Sequence, residues 1–357
     1  MSNNEAVRDA REALDAHVRR IVNVHFSPGT GTPFWIDWAQ ETGRNPIEEI
    51  RSFDDLLSFP NFDGSRLATE PLERWMPAHR SEKPPHIFQT GGTTGTPKER
   101  PSWTDHEHDY AELAANLPDE LFPRDSHWLM LGPTGPRRLR LGLEHTARMR
   151  GGPCHHVDLD PRWVRRLVRE GDDATAGRYL AHVMAQARAI LDRHPVRCLF
   201  TTPRLLEALG ENVDLSTTDI QGVLCGGTSL SPETGRFLAE ETLGGRIGLV
   251  PIYGNTLMGL ATSSPLTAEN GYEITYHPPQ PRAVLRVVDP ENPDRVVEEG
   301  AWGRVELTTL TDEFFLPRLL ERDEAIRRGP RADRPWDGVG DVRPLGGGEA
   351  GAPEGVY

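Results

Sequence analysis

Hydrophobic positions recur at helical spacing near the start of the chain. After Ser2 most apolar residues fall three or four positions apart, which predicts an amphipathic N-terminal helix. Its apolar positions are Val7, Ala10, Leu14, Val18, Ile21 and Val22. Between 59 and 85 prolines interrupt the pattern, so irregular structure with short helices is expected there.

Short apolar runs in the middle of the chain predict strands, and longer amphipathic stretches between them predict helices. The strands are expected at 86–89, 128–131, 196–202, 221–225 and 247–250. The helices are expected after Thr104, over 161–192, from Pro203 and from Ser231. Strands that alternate with helices indicate a parallel sheet in an α/β fold, and such sheets bind ligands at the carboxyl ends of their strands.

The pattern changes after Gly271. Runs at 272–276, 283–288 and 303–307 predict antiparallel strands joined by turns, and the tail from Pro335 predicts a loop. The expected organisation is therefore an α/β core over 1–270 and a small β subdomain with a C-terminal tail over 271–357.

One segment is too rich in glycine and threonine to be part of a hydrophobic core. It runs Phe88-Gln-Thr-Gly-Gly-Thr-Thr-Gly-Thr-Pro-Lys98 and contains one of only two lysines among the 40 Lys and Arg residues. Backbone amides freed by glycine, with hydroxyls and an ammonium, form a cradle for polyphosphate. It is not a Walker A loop, because Pro97 precedes the lysine. The alternative is a flexible Gly/Thr hairpin without a ligand.

The amino-acid composition and net charge limit the classes of partner and the cell compartment that we expect for this chain. A formal charge of −14 argues against nucleic acid and anionic membranes as partners. No apolar run is long enough for a membrane span, and no apolar segment typical of a secretion signal is present. The three cysteines are odd in number and widely spaced, which fits a reducing cytoplasm.

Four motifs in order resemble those of the adenylate-forming superfamily, which includes acyl-CoA synthetases, adenylation domains and luciferases. They are the loop that ends at Lys98, Gly226-Gly-Thr-Ser-Leu230, Tyr253-Gly-Asn-Thr256 and Val339-Gly-Asp341. The fold that this resemblance implies is the large N-terminal lobe, with mixed sheets flanked by helices and a small antiparallel β subdomain. The substrate that it implies is ATP, with Mg²⁺ carried mainly by the phosphates.

The resemblance also implies roles for individual residues. Catalytic roles fall to Lys98 and Thr256. Nucleotide contacts fall to Thr90, Gly91, Gly92, Thr93, Thr94, Gly95, Gly227, Thr228, Tyr253, Gly254, Asn255 and Asp341. The acid pocket would be lined by Gly132, Pro133, Thr134, Leu205 and Gly226.

Two departures from the family pattern stand out. The glutamate that follows the motif threonine, usually a magnesium ligand, is Leu257 here, so no protein ligand for a metal is expected. The small C-terminal domain, with its catalytic lysine, is expected to be absent, because no lysine follows Lys98. This matches a truncated branch from phenazine and benzoxazole antibiotic pathways, which the run 319–325 also resembles.

Other candidate sites are weaker. Cys154, His155, His156 and Asp158 could suggest a metal, but adjacent histidines on a strand point to opposite faces, which favours a structural role. The basic run 137–140 is expected to be a loop near the acid pocket and could attract the substrate carboxylate, although a solvated basic surface is the simpler interpretation.

The expected function is ATP-dependent adenylation of an aromatic carboxylic acid, an amino-hydroxybenzoate such as 3-hydroxyanthranilate or a phenazine carboxylate. The acyl group would pass to an amine, a hydroxyl or a partner enzyme, and a homodimer is left open. Two rivals remain: an aryl-CoA ligase that obtains its missing domain in trans, and a catalytically idle nucleotide-binding regulator.

Overall fold

The computed structural model describes residues 2–80, 82–90, 96–135 and 137–347. The chain forms two compact units, and each is assembled from three segments. The first unit comprises Met1–Asp105, Asn255–Gly259 and His277–Gly340. The second comprises His106–Gly254, Leu260–Tyr276 and Asp341–Tyr357.

The described residues form ten α-helices, and none of these combines the length and apolar character that a membrane span requires. They are α1 (Asn3–Phe26), α2 (Pro33–Thr42), α3 (Pro46–Glu49), α4 (Arg66–Thr69), α5 (Asp105–Asn116), α6 (Arg137–Met149), α7 (Pro161–Glu170), α8 (Asp173–Leu191), α9 (Pro203–Asn212) and α10 (Pro232–Phe237). Short 3₁₀ turns lie at Asp54–Ser58, Leu72–Trp75, Ala78–Arg80, Leu215–Thr217 and Leu345–Gly347, and one π turn at Leu238–Thr242.

Thirteen strands lie in the same described segments. They are β1 (His86–Gln89), β2 (Glu99–Ser102), β3 (His127–Leu131), β4 (Cys154–His156), β5 (Val196–Thr201), β6 (Gly222–Cys225), β7 (Gly248–Asn255), β8 (Gly259–Thr262), β9 (Thr275–Tyr276), β10 (Ala283–Val288), β11 (Trp302–Leu310), β12 (Phe315–Arg328) and β13 (Gly338–Pro344).

The N-terminal helix follows its sequence pattern. Ser2 caps α1 by accepting a hydrogen bond from the Glu5 amide, and the Glu5 carboxylate accepts one from the Ser2 amide, which completes a capping box. The predicted apolar stripe is buried along Leu14, Val18 and Ile21. The predicted amphipathic helix is confirmed.

In the first unit, antiparallel strands carry the core. β10 pairs with β11 from Ala283 opposite Thr309, and β11 pairs with the long strand β12. Aromatic rings from α2 and its neighbours pack on this sheet: Phe315 lies 5.1 Å from Trp35 between ring centroids. Such edge-to-face packing contributes about 1 kcal/mol per pair beyond the area buried.

In the second unit, a sheet with the order β4-β3-β5-β6-β7-β8 is parallel from β4 to β7. Its central strands are buried on both faces, which explains their unbroken apolar runs. One face forms a core with α5 and α6 around Trp128, Phe122 and Phe200. The predicted parallel α/β sheet is confirmed.

Several elements differ from the sequence expectation. The helix expected over 161–192 is two helices, because Gly171 adopts φ +70° and Asp172 caps α8 through the Thr175 amide. The strand expected at 272–276 is only two residues long, and that at 303–307 extends to Trp302–Leu310. The tail from Pro335 is not all loop, since β13 contains Asp341. The 14-residue strand β12 was not expected.

Candidate active site

In the first unit, β1 and β2 form a hairpin that holds both ends of the Gly/Thr loop. Beyond the last strand pair, Gln89 opposite Glu99, the Thr90 amide donates to the Lys98 carbonyl at 2.9 Å. The Lys98 amide in turn donates to the Thr90 hydroxyl at 3.0 Å. The ends of the loop are thus held together, whereas Gly91, Gly92, Thr93, Thr94 and Gly95 lie outside the described residues.

The Lys98 side chain is half-buried and lies against the backbone of Gly64. A Cβ atom at Gly64 would lie 2.6 Å from the Lys98 Nζ, so glycine leaves room there for the ammonium. The positive charge of Lys98 also acts on the Glu321 carboxylate. The predicted phosphate-binding cation is therefore held within the first unit rather than extended into solvent.

The segment Asn255–Gly259 is fastened to this hairpin. The Thr256 hydroxyl donates to the Gln89 carbonyl at 3.1 Å. The Asn255 side-chain oxygen accepts from the amides of Leu257 and Met258 at 2.9 and 2.7 Å, which forms a tight turn. Thr256 is buried and its proton is already donated, so in this conformation it positions the turn.

Arg100 ties the same turn to β2. Its guanidinium is buried and donates to the carbonyls of Leu257 at 2.7 Å and Thr256 at 3.3 Å, and it pairs with the Asp105 carboxylate. The Thr311 hydroxyl donates to that carboxylate at 2.6 Å. A buried charge is tolerated when it is paired and hydrogen-bonded in this way, and removing one member leaves the others uncompensated.

Glu313 completes the support of the hairpin. Its buried carboxylate accepts from the amides of Trp103 and Thr104 at 2.7 and 2.6 Å and from the hydroxyls of Ser102 and Thr104. Burial alone would raise the pKa of Glu313, but the hydrogen bonds outweigh it and the pKa is lowered. The group is therefore an ionised carboxylate near neutral pH.

In the second unit, several predicted residues lie at the carboxyl edge of the parallel sheet. Gly132 follows β3, and Gly226 follows β6 and donates from its amide to the Thr201 carbonyl at the end of β5 at 3.1 Å. A Cβ atom at Gly226 would lie 2.5 Å from the Ile252 carbonyl oxygen, so only glycine fits. Gly227 adopts φ +95° and is exposed beside the half-buried Thr228.

Two other predicted pocket residues already have partners. The Thr134 amide and hydroxyl both donate to the Leu159 carbonyl, at 3.1 and 3.0 Å. Leu205 is fully buried in α9, and its amide donates to the Thr202 hydroxyl that caps the helix. Pro133, which precedes Thr134, is buried.

The second unit also brings Tyr253 and Asp341 near a common neighbour. The half-buried Tyr253 ring lies 5.6 Å from the Tyr276 ring between centroids, and the exposed Gly254 follows it. Burial raises the pKa of Tyr276, and the charges of Cys225 and Asp341 add to the rise. Asp341 itself adopts φ +50°, the left-handed region that few non-glycine residues occupy.

Comparison with known proteins supports the fold. No family model and no curated sequence matches the chain. It is similar to the crystal structure of 2-hydroxyisobutyryl-CoA ligase in complex with 2-HIB-AMP and CoA in the thioesterification state, with a TM-score of 0.67 and 15% identity over 94% of this chain and 68% of that chain. The same ligase in the postadenylation state with R3-HIB-AMP gives a TM-score of 0.66 and 14% identity over 94% and 67%.

The chain has the fold of the N-terminal lobe of adenylate-forming enzymes. The predicted fold class, α/β with mixed sheets and an antiparallel β portion, is confirmed. The chain spans about two thirds of the length of the ligase.

One residue of this adenylate-forming fold was not anticipated from the sequence. Glu321 on β12 accepts a hydrogen bond from the Asn255 side-chain amide at 3.1 Å. Burial and the charge of Asp323 raise the pKa of Glu321, and the charge of Lys98 partly offsets the rise. A single sequence gave no pointer to this contact, because Asn255 and Glu321 meet only through the folded sheet.

Neither the side chain nor the carbonyl of Leu257 offers an oxygen ligand to a metal in this conformation. Its side chain is buried, and its carbonyl oxygen is already occupied by Arg100 and by the Thr309 hydroxyl at 2.9 Å. A hard cation such as Mg²⁺ needs oxygen ligands, which this residue does not offer. The Glu321 carboxylate has oxygen atoms of the kind that bind Mg²⁺. It accepts a hydrogen bond from Asn255, and the charge of Lys98 acts on it.

The basic run 137–140 is not a loop. It forms the first turn of α6, and Arg138 is buried in an ion pair with Asp109. Arg140 forms an exposed pair with Glu144 one turn further along the helix. The interpretation as a solvated basic surface is therefore wrong for Arg138, because its guanidinium is buried and paired with Asp109 in the second unit.

Proposed function

We propose that the chain adenylates a carboxylic acid with ATP, forming an acyl-AMP and releasing pyrophosphate. The observation that carries the proposal is that two sets of hydrogen bonds hold the base of the Gly/Thr loop. Thr90 and Lys98 bond to each other across the loop, and the Thr256 hydroxyl donates to the Gln89 carbonyl. Gln89 and Thr256 are 167 residues apart in sequence, so their contact brings two of the motifs together at the base of one loop. The adenylate-forming fold supports the same reaction.

The chemistry needs positioning and charge rather than a protein nucleophile. One oxygen of the substrate carboxylate attacks the α-phosphorus, the bond to the bridging oxygen breaks, and pyrophosphate leaves with the electron pair. No proton has to move, so donors and a cation suffice to stabilise the charge. We assign that cation to Lys98, with amides and hydroxyls of the segment 90–95 as donors.

The remaining predicted residues take separate roles in this proposal. The contacts to the nucleoside that the resemblance implies are assigned to Gly227, Thr228, Tyr253, Gly254 and Asp341. The acid would bind at the sheet edge that includes Gly132, Pro133, Thr134, Leu205 and Gly226. Asn255 and Thr256 would hold the turn beside the phosphate loop.

Magnesium would be carried mainly by the phosphates, with Glu321 as its protein ligand. Mg²⁺ keeps several waters and takes one or two carboxylates together with phosphate oxygens. When bound, the ion supplies positive charge against the phosphate oxygens. Burial disfavours the ionised form of the half-buried Glu321 carboxylate, and a cation bound nearby would stabilise that form.

The acid is proposed to be aromatic, an amino-hydroxybenzoate such as 3-hydroxyanthranilate or a phenazine carboxylate, in antibiotic biosynthesis. The resemblance of the run 319–325 to enzymes of those pathways supports this choice.

The proposal is tested by measuring whether the protein exchanges labelled pyrophosphate into ATP only when a carboxylic acid is added. The panel contains amino-hydroxybenzoates, phenazine carboxylates and 2-hydroxyisobutyrate, with ATP binding measured in parallel. Exchange with an aromatic acid is the expected result. Exchange with only 2-hydroxyisobutyrate would keep adenylation but reject the aromatic substrate, and ATP binding without any exchange would favour the idle nucleotide-binding regulator.

A second candidate is a complete acyl-CoA ligase. The observation in its favour is the likeness to a ligase crystallised with CoA in the thioesterification state. Adding CoA to the exchange assay separates the two: a CoA thioester and free AMP made by this chain alone would establish the ligase. Acyl-AMP that accumulates and reacts with added amines or hydroxyls would support the adenylation proposal.

A further inference from the structure

Three histidines meet on one face of the parallel sheet, at the amino ends of its strands. His127 begins β3, His155 lies in the middle of β4, and His194 lies two residues before β5. β3 lies between the other two strands, with Leu129 opposite His155 and His127 opposite Val196. Because side chains alternate along a strand, His127 and His155 project from the same face.

The rings are close and accessible. His127 Nδ1 and His155 Nε2 are 3.1 Å apart, and the rings of His155 and His194 stack with centroids 4.3 Å apart. The three side chains offer nitrogen atoms that all lie within 4.8 Å of one another, and each residue is half-buried. Among the described residues this is the one group of three His, Cys, Asp or Glu side chains with such spacing.

We propose that His127, His155 and His194 bind a divalent transition-metal ion such as Zn²⁺ through three imidazole nitrogens. In a tetrahedral zinc site with Zn–N bonds of about 2.0–2.1 Å, the ligand nitrogens are about 3.3 Å apart. The His127–His155 distance already has this value within a few tenths of an ångström. The His155 and His194 rings stack with 24° between their planes, so the His194 side chain has to rotate until its lone pair points to the ion. Water takes the fourth position.

Imidazole nitrogens without carboxylates favour zinc, nickel or copper over magnesium, which prefers oxygen ligands. The sequence interpretation treated His155 and His156 as neighbours on opposite faces, and the structure agrees: His156 faces Glu144, 3.3 Å away. The sequence did not reveal that His127 and His194 approach His155 from two other elements. The signal is that each histidine lies within two residues of the start of one of three neighbouring parallel strands.

The site is separate from the proposed reaction. Gly132 and Gly226 follow the carboxyl ends of β3 and β6, whereas the histidines lie at the amino ends of the sheet. A metal held here would link β3, β4 and the segment before β5. It would therefore stabilise the second unit, because a ligand that binds only the folded state raises its stability.

The test uses the whole chain, freed of metal by a chelator and titrated with Zn²⁺ by calorimetry and with Co²⁺ by visible absorption. Wild type is expected to bind one equivalent of Zn²⁺, to give the absorption of tetrahedral Co²⁺ and to unfold at a higher temperature with metal. His155→Ala and His194→Ala are expected to bind at least about tenfold more weakly and to lose the thermal shift.

Two histidines provide matched controls. His156→Ala changes the next residue of β4 on its opposite face, and His182→Ala changes an exposed histidine of α8. Both are expected to bind metal like wild type. His194 lies in a connection, so its variant remains informative if His155→Ala fails to fold. Absence of Zn²⁺ binding in wild type, or equal binding by His194→Ala, would overturn the proposal.

Discussion

At the scale of single residues, the strongest constraints come from buried polar groups with complete sets of partners. His25 on α1 is fully buried, with Nδ1 2.7 Å from the Thr32 hydroxyl and Nε2 2.7 Å from the Thr311 carbonyl. A carbonyl only accepts, so Nε2 carries the proton and the ring is satisfied in its neutral form.

This arrangement makes stability depend on pH. Burial is the main cause that lowers the pKa of His25 from 6.5 to about 4; the hydrogen bond to the Thr311 carbonyl and the charge of Asp312 oppose the change, and the charge of His79 adds to it. Since the unfolded chain binds the proton first, stability is lost as the pH falls from 6.5 towards 4. Between pH 7 and pH 5 the loss from this group is about 2 kcal/mol.

Urea unfolding of wild type and His25→Gln across that range measures the effect. The variant should be less stable at pH 7 and should lack about 2 kcal/mol of the acid-induced loss. His182→Gln, which changes an exposed histidine, should retain the slope of wild type. Identical slopes in wild type and His25→Gln would contradict a neutral buried ring.

At the scale of elements, β12 contributes more than its sequence suggests. Its first five residues are all buried, including the charged Arg318, and residues 320–324 are mostly charged and half-buried, so no period of two is visible. The strand is defined by pairing with β11 instead, including Glu306 opposite Leu320. That pairing brings Glu321 to Asn255, which a propensity argument could not foresee.

The proposed magnesium ligand on this strand can be tested by removing one charge. Glu321→Gln retains an oxygen that accepts from Asn255 but cannot supply an anionic ligand. We expect the magnesium concentration for half-maximal pyrophosphate exchange to rise by about tenfold or more. Glu324→Gln, the same substitution three residues along β12, should behave like wild type. Equal magnesium dependence in both variants would remove Glu321 from the proposal.

Other elements were predictable because local and tertiary signals agree. Buried strands such as β3 and β6 have unbroken apolar runs, and Ser231 with Pro232 marks the start of α10. The break at Gly171 and Asp172 also follows from known cap preferences, although the continuous periodicity obscured it. The candidate site was predictable only as separate motifs, because their contacts join distant parts of the sequence.

At the scale of the whole molecule, the proposed function requires a strongly acidic chain to hold a polyanion with local donors. The formal charge is −14, and Lys98 and Lys83 are the two lysines of the sequence. Lys98 lies at the base of the Gly/Thr loop, whereas Lys83 is exposed before β1. The fold shared with 2-hydroxyisobutyryl-CoA ligase at 14–15% identity shows that the architecture tolerates extensive sequence change.

The most direct measurement is therefore acid-dependent pyrophosphate release by Lys98→Ala and Lys83→Ala beside wild type. Loss of a cation that stabilises the reacting phosphates should lower the rate of Lys98→Ala by about 10²- to 10³-fold while the fold is retained. Lys83→Ala should release pyrophosphate at the rate of wild type. An unchanged rate in Lys98→Ala would contradict the central claim that this lysine and its loop hold the phosphates during adenylation.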